Sequence, residues 1–146
     1  MTAYADTGFI CSLHAPDAHT ALVAACMGRL KQPLPYTALH RLEFRNALRL
    51  RVFRKEISRD QCEFSIQAML SDLASNIFEF AEVPWPEMLI EAERLSARHS
   101  EIIGTRSLDI LHVASALLIG SREFLTFDLR QGSLAIAAGL KVPILK

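Results

Sequence analysis

Short apolar runs alternate with longer stretches of helical period along the whole chain, and this alternation constrains the fold more than any other feature. Residues 2–5, 34–37, 77–83, 123–127 and 141–145 read as strands. Between them, Phe9–Leu13, Ala18–Leu30, Leu39–Glu56, Ser58–Ser75, Glu87–Ile102, Ser107–Ile119 and Asp128–Ala138 read as helices. Asp17 and Ser58 are placed to cap their helices. Pro16, Pro33, Pro35 and Pro84-Trp85-Pro86 punctuate them, and Gly139 stops the last. Strands separated throughout by helices need crossover connections. The pattern therefore predicts an α/β fold: three layers, with a mostly parallel five-stranded sheet flanked by helices on both faces.

Length and composition agree with a single domain over residues 1–146. A chain of 146 residues buries roughly two-thirds of its extended surface. With 51% hydrophobic and 22% charged residues, disorder is excluded. Cys11, Cys26 and Cys62 are odd in number and hold no CxxC pair, which points to reduced thiols in a cytoplasmic protein. The N-terminus MTAYADTGF is no signal peptide, and the longest apolar run, near Ile110–Ile119, is too short to span a membrane.

The acids carry the chemistry. Ligands of open parallel sheets sit beyond the carboxyl ends of the strands. There Asp6 ends the first strand, Asp128 ends the fourth, Glu43 lies early in the helix after the second, and Asp109 opens the helix before the fourth. Simpler roles exist for three of them: Asp128-Leu129-Arg130-Gln131 is a capping box, Asp109 complements a helix dipole, and Asp6 precedes a turn. Glu43 resists such a reading. Leu39, Leu42, Asn46, Leu50 and Phe53 predict an inward face that includes Glu43, while Arg41, Arg45 and Arg49 ride on another face. Four ionised carboxylates about 6 Å apart would repel by about 17 kcal/mol in total at an effective dielectric of about 20. An ordinary domain is stable by only about 5–15 kcal/mol. Convergence thus calls for bound protons or a divalent cation, and oxygen ligands of this type favour Mg²⁺ or Mn²⁺.

Four segments together, Tyr4-Ala5-Asp6-Thr7, Leu42-Glu43-Phe44-Arg45-Asn46-Ala47-Leu48, Ser107-Leu108-Asp109-Ile110-Leu111-His112-Val113-Ala114-Ser115-Ala116-Leu117 and Phe124-Leu125-Thr126-Phe127-Asp128, resemble the acidic motifs of PIN-domain nucleases. The tail Leu134–Val142 is similar to the end of VapC-type toxins of bacterial toxin–antitoxin pairs. The resemblance implies a five-stranded parallel sheet and a Mg²⁺- or Mn²⁺-dependent endoribonuclease. It implies a homodimer restrained by a cognate antitoxin. Asp6, Glu43, Asp109 and Asp128 become the catalytic, metal-binding acids, supported by Thr7 and Thr126. Gly8 departs from the Ser or Asn many members carry there.

Charge is balanced overall but segregated. Residues 41–59 hold seven bases against two acids, +5, whereas residues 79–93 hold five glutamates and no base. Arg41, Arg45, Arg49 and Arg106 are the expected RNA contacts. The apolar residues Phe9, Ile10, Leu13, Phe53 and Phe64 are candidates for an antitoxin groove. Two other constellations are weaker: the spacing of Cys11, His14, His19 and Cys26 is too loose for zinc, and His112 fits a core histidine better than a base. The competing reading is a catalytically silent module in which the acids are caps and exposed apolar helices grip a partner protein.

Overall fold

The structure is a computed structural model that describes residues 2–146. Its elements run β1 (Ala3–Ala5), α1 (Thr7–His14), α2 (Thr20–Arg29), β2 (Leu34–Tyr36), α3 (Ala38–Phe53) and α4 (Arg59–Ala74). There follow β3 (Phe78–Phe80), α5 (Trp85–Ile103), α6 (Ser107–Ile119), β4 (Glu123–Leu125) and α7 (Leu129–Ala137). They form two compact units, one of the chain up to Asp6 with Glu82–Ile144, the other of Thr7–Ala81 with Leu145 and Lys146.

The expected five-stranded sheet is corrected. Each unit holds one pair of three-residue parallel strands, β1 with β4 in the first and β2 with β3 in the second. Proline supplies much of the reason, since it lacks the N–H that a ladder needs. Pro35 sits inside β2, Pro84 lies beyond β3, and Pro143 interrupts the run expected as a fifth strand. Of residues 141–145, only Lys141 makes a bridge, to Glu123.

In the first unit, Ala3, Tyr4 and Ala5 face Glu123, Phe124 and Leu125 in register. Tyr4 stacks on Phe124 at 5.7 Å between ring centroids, and its hydroxyl is 2.6 Å from His112 Nδ1. His112 is thus a core histidine, as expected. Met88, Ala92 and Leu95 of α5 pack with Ile110, Val113 and Ala114 of α6 around this pair. Gly104 and Gly120 end α5 and α6 with φ of 75° and 84°, a left-handed backbone that glycine adopts without a Cβ penalty.

In the second unit, Ser58 caps α4 through the Gln61 N–H, as the sequence predicts. Asp17 does not cap α2, whose N-cap is His19. Its carboxylate instead accepts the His19 N–H and the Ser12 hydroxyl. The largest correction concerns α3. Its buried residues are Leu39, His40, Phe44 and Leu48. Leu42 and Phe53, expected inside, are 68% and 81% exposed. Histidine decides the phase: His40 closes a capping box with Thr37 and stacks on Tyr36 at 5.9 Å, so a nominally polar residue anchors the inward face.

Candidate functional site

Parallel pairing of β1 with β4 brings their carboxyl ends side by side, and the ladder runs on through the Asp6 N–H to the Leu125 carbonyl at 3.1 Å. Asp6 is buried there. Its Oδ2 accepts the Thr126 hydroxyl at 2.5 Å, and Thr126 Oγ1 in turn accepts the Asp128 N–H at 2.9 Å. Asp128 opens α7, with Oδ1 accepting the Gln131 N–H at 3.0 Å. Gln131, 1% exposed, donates from Nε2 to the Asp109 carbonyl at 3.2 Å, and its Oε1 lies 3.3 Å from Thr126 Oγ1. One hydrogen-bonded set therefore links Asp6, Asp109 and Asp128. Unlike a full capping box, Gln131 sends its side chain inward.

Asp109 and Asp128 also line one cavity of about 430 Å³, together with Gly104, Thr105, Arg106, Leu129 and Arg130. The Arg106 guanidinium is 3.8 Å from Asp109 and largely exposed, a separation that contributes little in water. Arg106 is the N-cap of α6 and provides no side-chain cap. Thr105 is 8% exposed, and its hydroxyl has no hydrogen-bond partner among the described residues. A buried hydroxyl left so costs about 1–3 kcal/mol.

Glu43 belongs to the second unit. It is half-buried, and its Oε1 accepts the Thr7 hydroxyl at 3.0 Å. Of the four expected acids, three thus share the first unit's hydrogen-bonded set, and Glu43 has its own donor in the second. Among the described residues, no three of the Asp, Glu, His and Cys side chains are close enough to form a metal cage. Asp109 and Asp128 are the two carboxylates that line one cavity, and a hard divalent cation takes oxygen ligands of that kind. Such an ion, held by one or two carboxylates, keeps several waters. Arg41 and Arg49 are exposed on α3 and Arg45 is half-buried. Burial raises the Tyr36 hydroxyl pKa to about 12, opposed by the positive charges of Arg45 and Arg41.

The second unit carries a different cavity, of about 520 Å³, walled by Leu13, Ala15, Pro16, Ile57 and Phe64 with Thr20, Asp60, Gln61 and Ser65. Of the five apolar groove candidates, Leu13 and Phe64 line it, and Phe64 is 76% exposed. Phe53 is exposed elsewhere on α3, and Phe9 and Ile10 are core. Both His14 nitrogens are engaged, Nδ1 with the Ile10 carbonyl at 3.0 Å and Nε2 with Asp72 at 2.7 Å. No disulfide joins Cys11, Cys26 and Cys62. Sequence reasoning missed Thr105, Arg130 and the inward role of Gln131. Only Gln131 left a signal, as the fourth residue of the Asp128 box.

Among solved structures, the fold is shared by a chain in the crystal structure of VapBC2 from Rickettsia felis bound to a DNA fragment from their promoter. The TM-score is 0.66 at 12% identity, covering 98% of each chain. A chain in the crystal structure of FitAcB from Neisseria gonorrhoeae matches with TM-score 0.67 at 15% identity, covering 97% of this chain and 96% of that one. At such identity the likeness establishes fold alone. No family model and no curated protein matches the chain. The assignment to PIN-domain nucleases of VapC type is accordingly corrected. The five-stranded sheet it implies is replaced by two separate strand pairs.

Proposed function

We propose that this chain is one member of a toxin–antitoxin pair and that it grips a partner protein through the apolar cavity of its second unit. The observation that carries this reading is the near-complete fold likeness to chains of VapBC2 and FitAcB. The cavity supplies the physical means. Leu13, Pro16, Ile57 and Phe64 offer apolar surface that water solvates poorly, and Asp60 gives a charged rim. No helix among the described residues is long and apolar enough to cross a membrane.

The R. felis structure contains DNA from a promoter described as belonging to both proteins, so the first partner to test is the product encoded beside this chain. Co-expression followed by size exclusion with light scattering is the test. A stable complex formed by the wild type and lost in Phe64→Asp supports the reading. Co-expressed proteins that elute separately refute it.

A second reading is favoured by the cavity of the first unit: cleavage of RNA phosphodiester bonds with Mg²⁺ or Mn²⁺. When bound, the ion lowers the pKa of water and neutralises developing charge on phosphate. Asp109 and Asp128 would hold it. Gln131 ties the start of α7 to the Asp109 carbonyl, and the exposed Arg106 beside Asp109 attracts the strand's backbone. Total RNA incubated with Mg²⁺ or with EDTA, using wild type and Asp109→Asn, decides it. Cleavage confined to wild type with metal, leaving 5′-phosphates, supports this chemistry; equal cleavage by both proteins ends it.

A further inference from the structure

We infer that His14 and Asp72 form a pH-sensitive latch that ties α1 to α4 and so fixes the walls of the second unit's apolar cavity. The latch belongs to the chain alone and does not rest on the partner reading; it gives acidity control over the cavity which that reading uses.

His14 is the last residue of α1, and its side chain is 3% exposed. Nδ1 lies 3.0 Å from the Ile10 carbonyl, and Nε2 lies 2.7 Å from Asp72 Oδ2. A carbonyl and a carboxylate both accept, and neither donates. A ring that satisfies both therefore carries a proton on each nitrogen, which makes it an imidazolium. Its place favours that charge, because the carbonyl end of a helix attracts cations. Removing one proton leaves one nitrogen's lone pair against an acceptor. One of the two bonds is then lost, and what remains of the tie to Asp72 is no longer an ion pair.

The latch acts on the cavity because His14 holds α4 at two points. Its ring meets Asp72, and its backbone carbonyl accepts the Ser65 hydroxyl at 2.8 Å. His14 and Ser65 line the apolar cavity, with Leu13 from α1 and Phe64 from α4 beside them. Loosening the ring contact lets these apolar walls move apart.

The surroundings leave the charge to Asp72. Phe44 of α3 meets the ring edge-on at 5.4 Å, and Phe78 of β3 lies at 5.7 Å. Glu43, next to Phe44, accepts from Thr7, and Glu79, next to Phe78, is exposed. Cys11 sits one turn earlier on α1, Cys62 is on the buried face of α4, and Asp60 lines the cavity. Asp17, beyond Pro16, accepts the Ser12 hydroxyl and the His19 N–H. Among the described residues, Asp72 is the charged group in contact with the ring.

Histidine changes charge between about pH 5 and pH 8, and the latch is read across that range. Nitrogen-15 NMR of the full chain reports the protons on each ring nitrogen, with His14 identified by its contacts to Phe44 and Phe78. Both nitrogens should be protonated at about pH 5.5, and one at about pH 8.5. Amide exchange in α1 and α4, expressed as protection relative to the intrinsic rate at each pH, should loosen by at least about tenfold over the same rise. That is the scale of one hydrogen bond to a charged group. In Asp72→Asn the amide N–H donates to a neutral Nε2, so both ring bonds survive loss of the proton and protection should stay level. A His14 ring with one proton at both pH values overturns the latch, as does an equal loss of protection in Asp72→Asn. If the latch meets both expectations while the co-expressed product stays unbound, the latch stands and the partner reading falls.

Discussion

The two cavities differ in what holds their walls. In the first unit, Asp6, Thr126, Asp128, Gln131 and the Asp109 carbonyl are joined by directional hydrogen bonds of 2.5–3.3 Å. In the second, Ser65 Oγ donates to the His14 carbonyl at 2.8 Å, but the wall is mostly Leu13, Pro16, Ile57 and Phe64, whose apolar atoms have no preferred direction of contact. The first arrangement positions charge, which is what a small charged ligand requires. The second offers area, which suits a protein surface whose binding concentrates in a few large side chains.

Substitutions break the comparison where it is strongest first. Phe44→Ala removes a fully buried ring beneath α3 and should destabilise the second unit by about 3–5 kcal/mol in urea unfolding. Phe53→Ala, on an exposed ring of the same helix, should stay within about 0.5 kcal/mol. Equal effects would mean that the phase of α3 is wrong. Thr126→Val takes the hydroxyl donor from the buried Asp6 carboxylate and should cost about 1.5–3 kcal/mol, measured the same way. It should leave partner binding intact. Phe64→Asp should do the reverse: partner affinity falls by about 30-fold or more, about 2 kcal/mol, while the melting temperature moves little.

The smallest effect is electrostatic. Burial pushes the Asp17 carboxyl up, but the Ser12 hydroxyl, the His19 N–H and charge and the Thr20 hydroxyl outweigh it, leaving the pKa below 3.8. A carboxylate whose pKa is depressed by folding adds stability above its unfolded pKa and loses it as pH falls through the folded value. Asp17→Asn should therefore flatten the fall in melting temperature between about pH 5 and pH 2. A variant as acid-sensitive as wild type would remove Asp17 from the account.

What the sequence revealed followed from local chemistry. Ser58 with Gln61 announced the start of α4, and Asp128 with Gln131 the start of α7, because caps depend on residues three apart. The alternation of elements was equally local and appears in the expected order. What depended on distant contacts was misread. His40 counts as polar in any periodicity, yet stacking on Tyr36 and bonding to Thr37 turn it inward, and this rotated the predicted face of α3 by about one residue. Strand pairing failed for a similar reason: five apolar runs suggested one sheet, but prolines and three-residue strands give two pairs. Thr105 could not be singled out, since an unpartnered hydroxyl is visible only once its surroundings are known.

Partner binding through the second unit is tested most directly by hydrogen exchange on the chain alone and mixed with the co-expressed protein. Slowed amide exchange is expected over residues 13–20 and 57–65, the segments that wall the apolar cavity. Protection confined to other segments, with these two exchanging at their free rate, would contradict it.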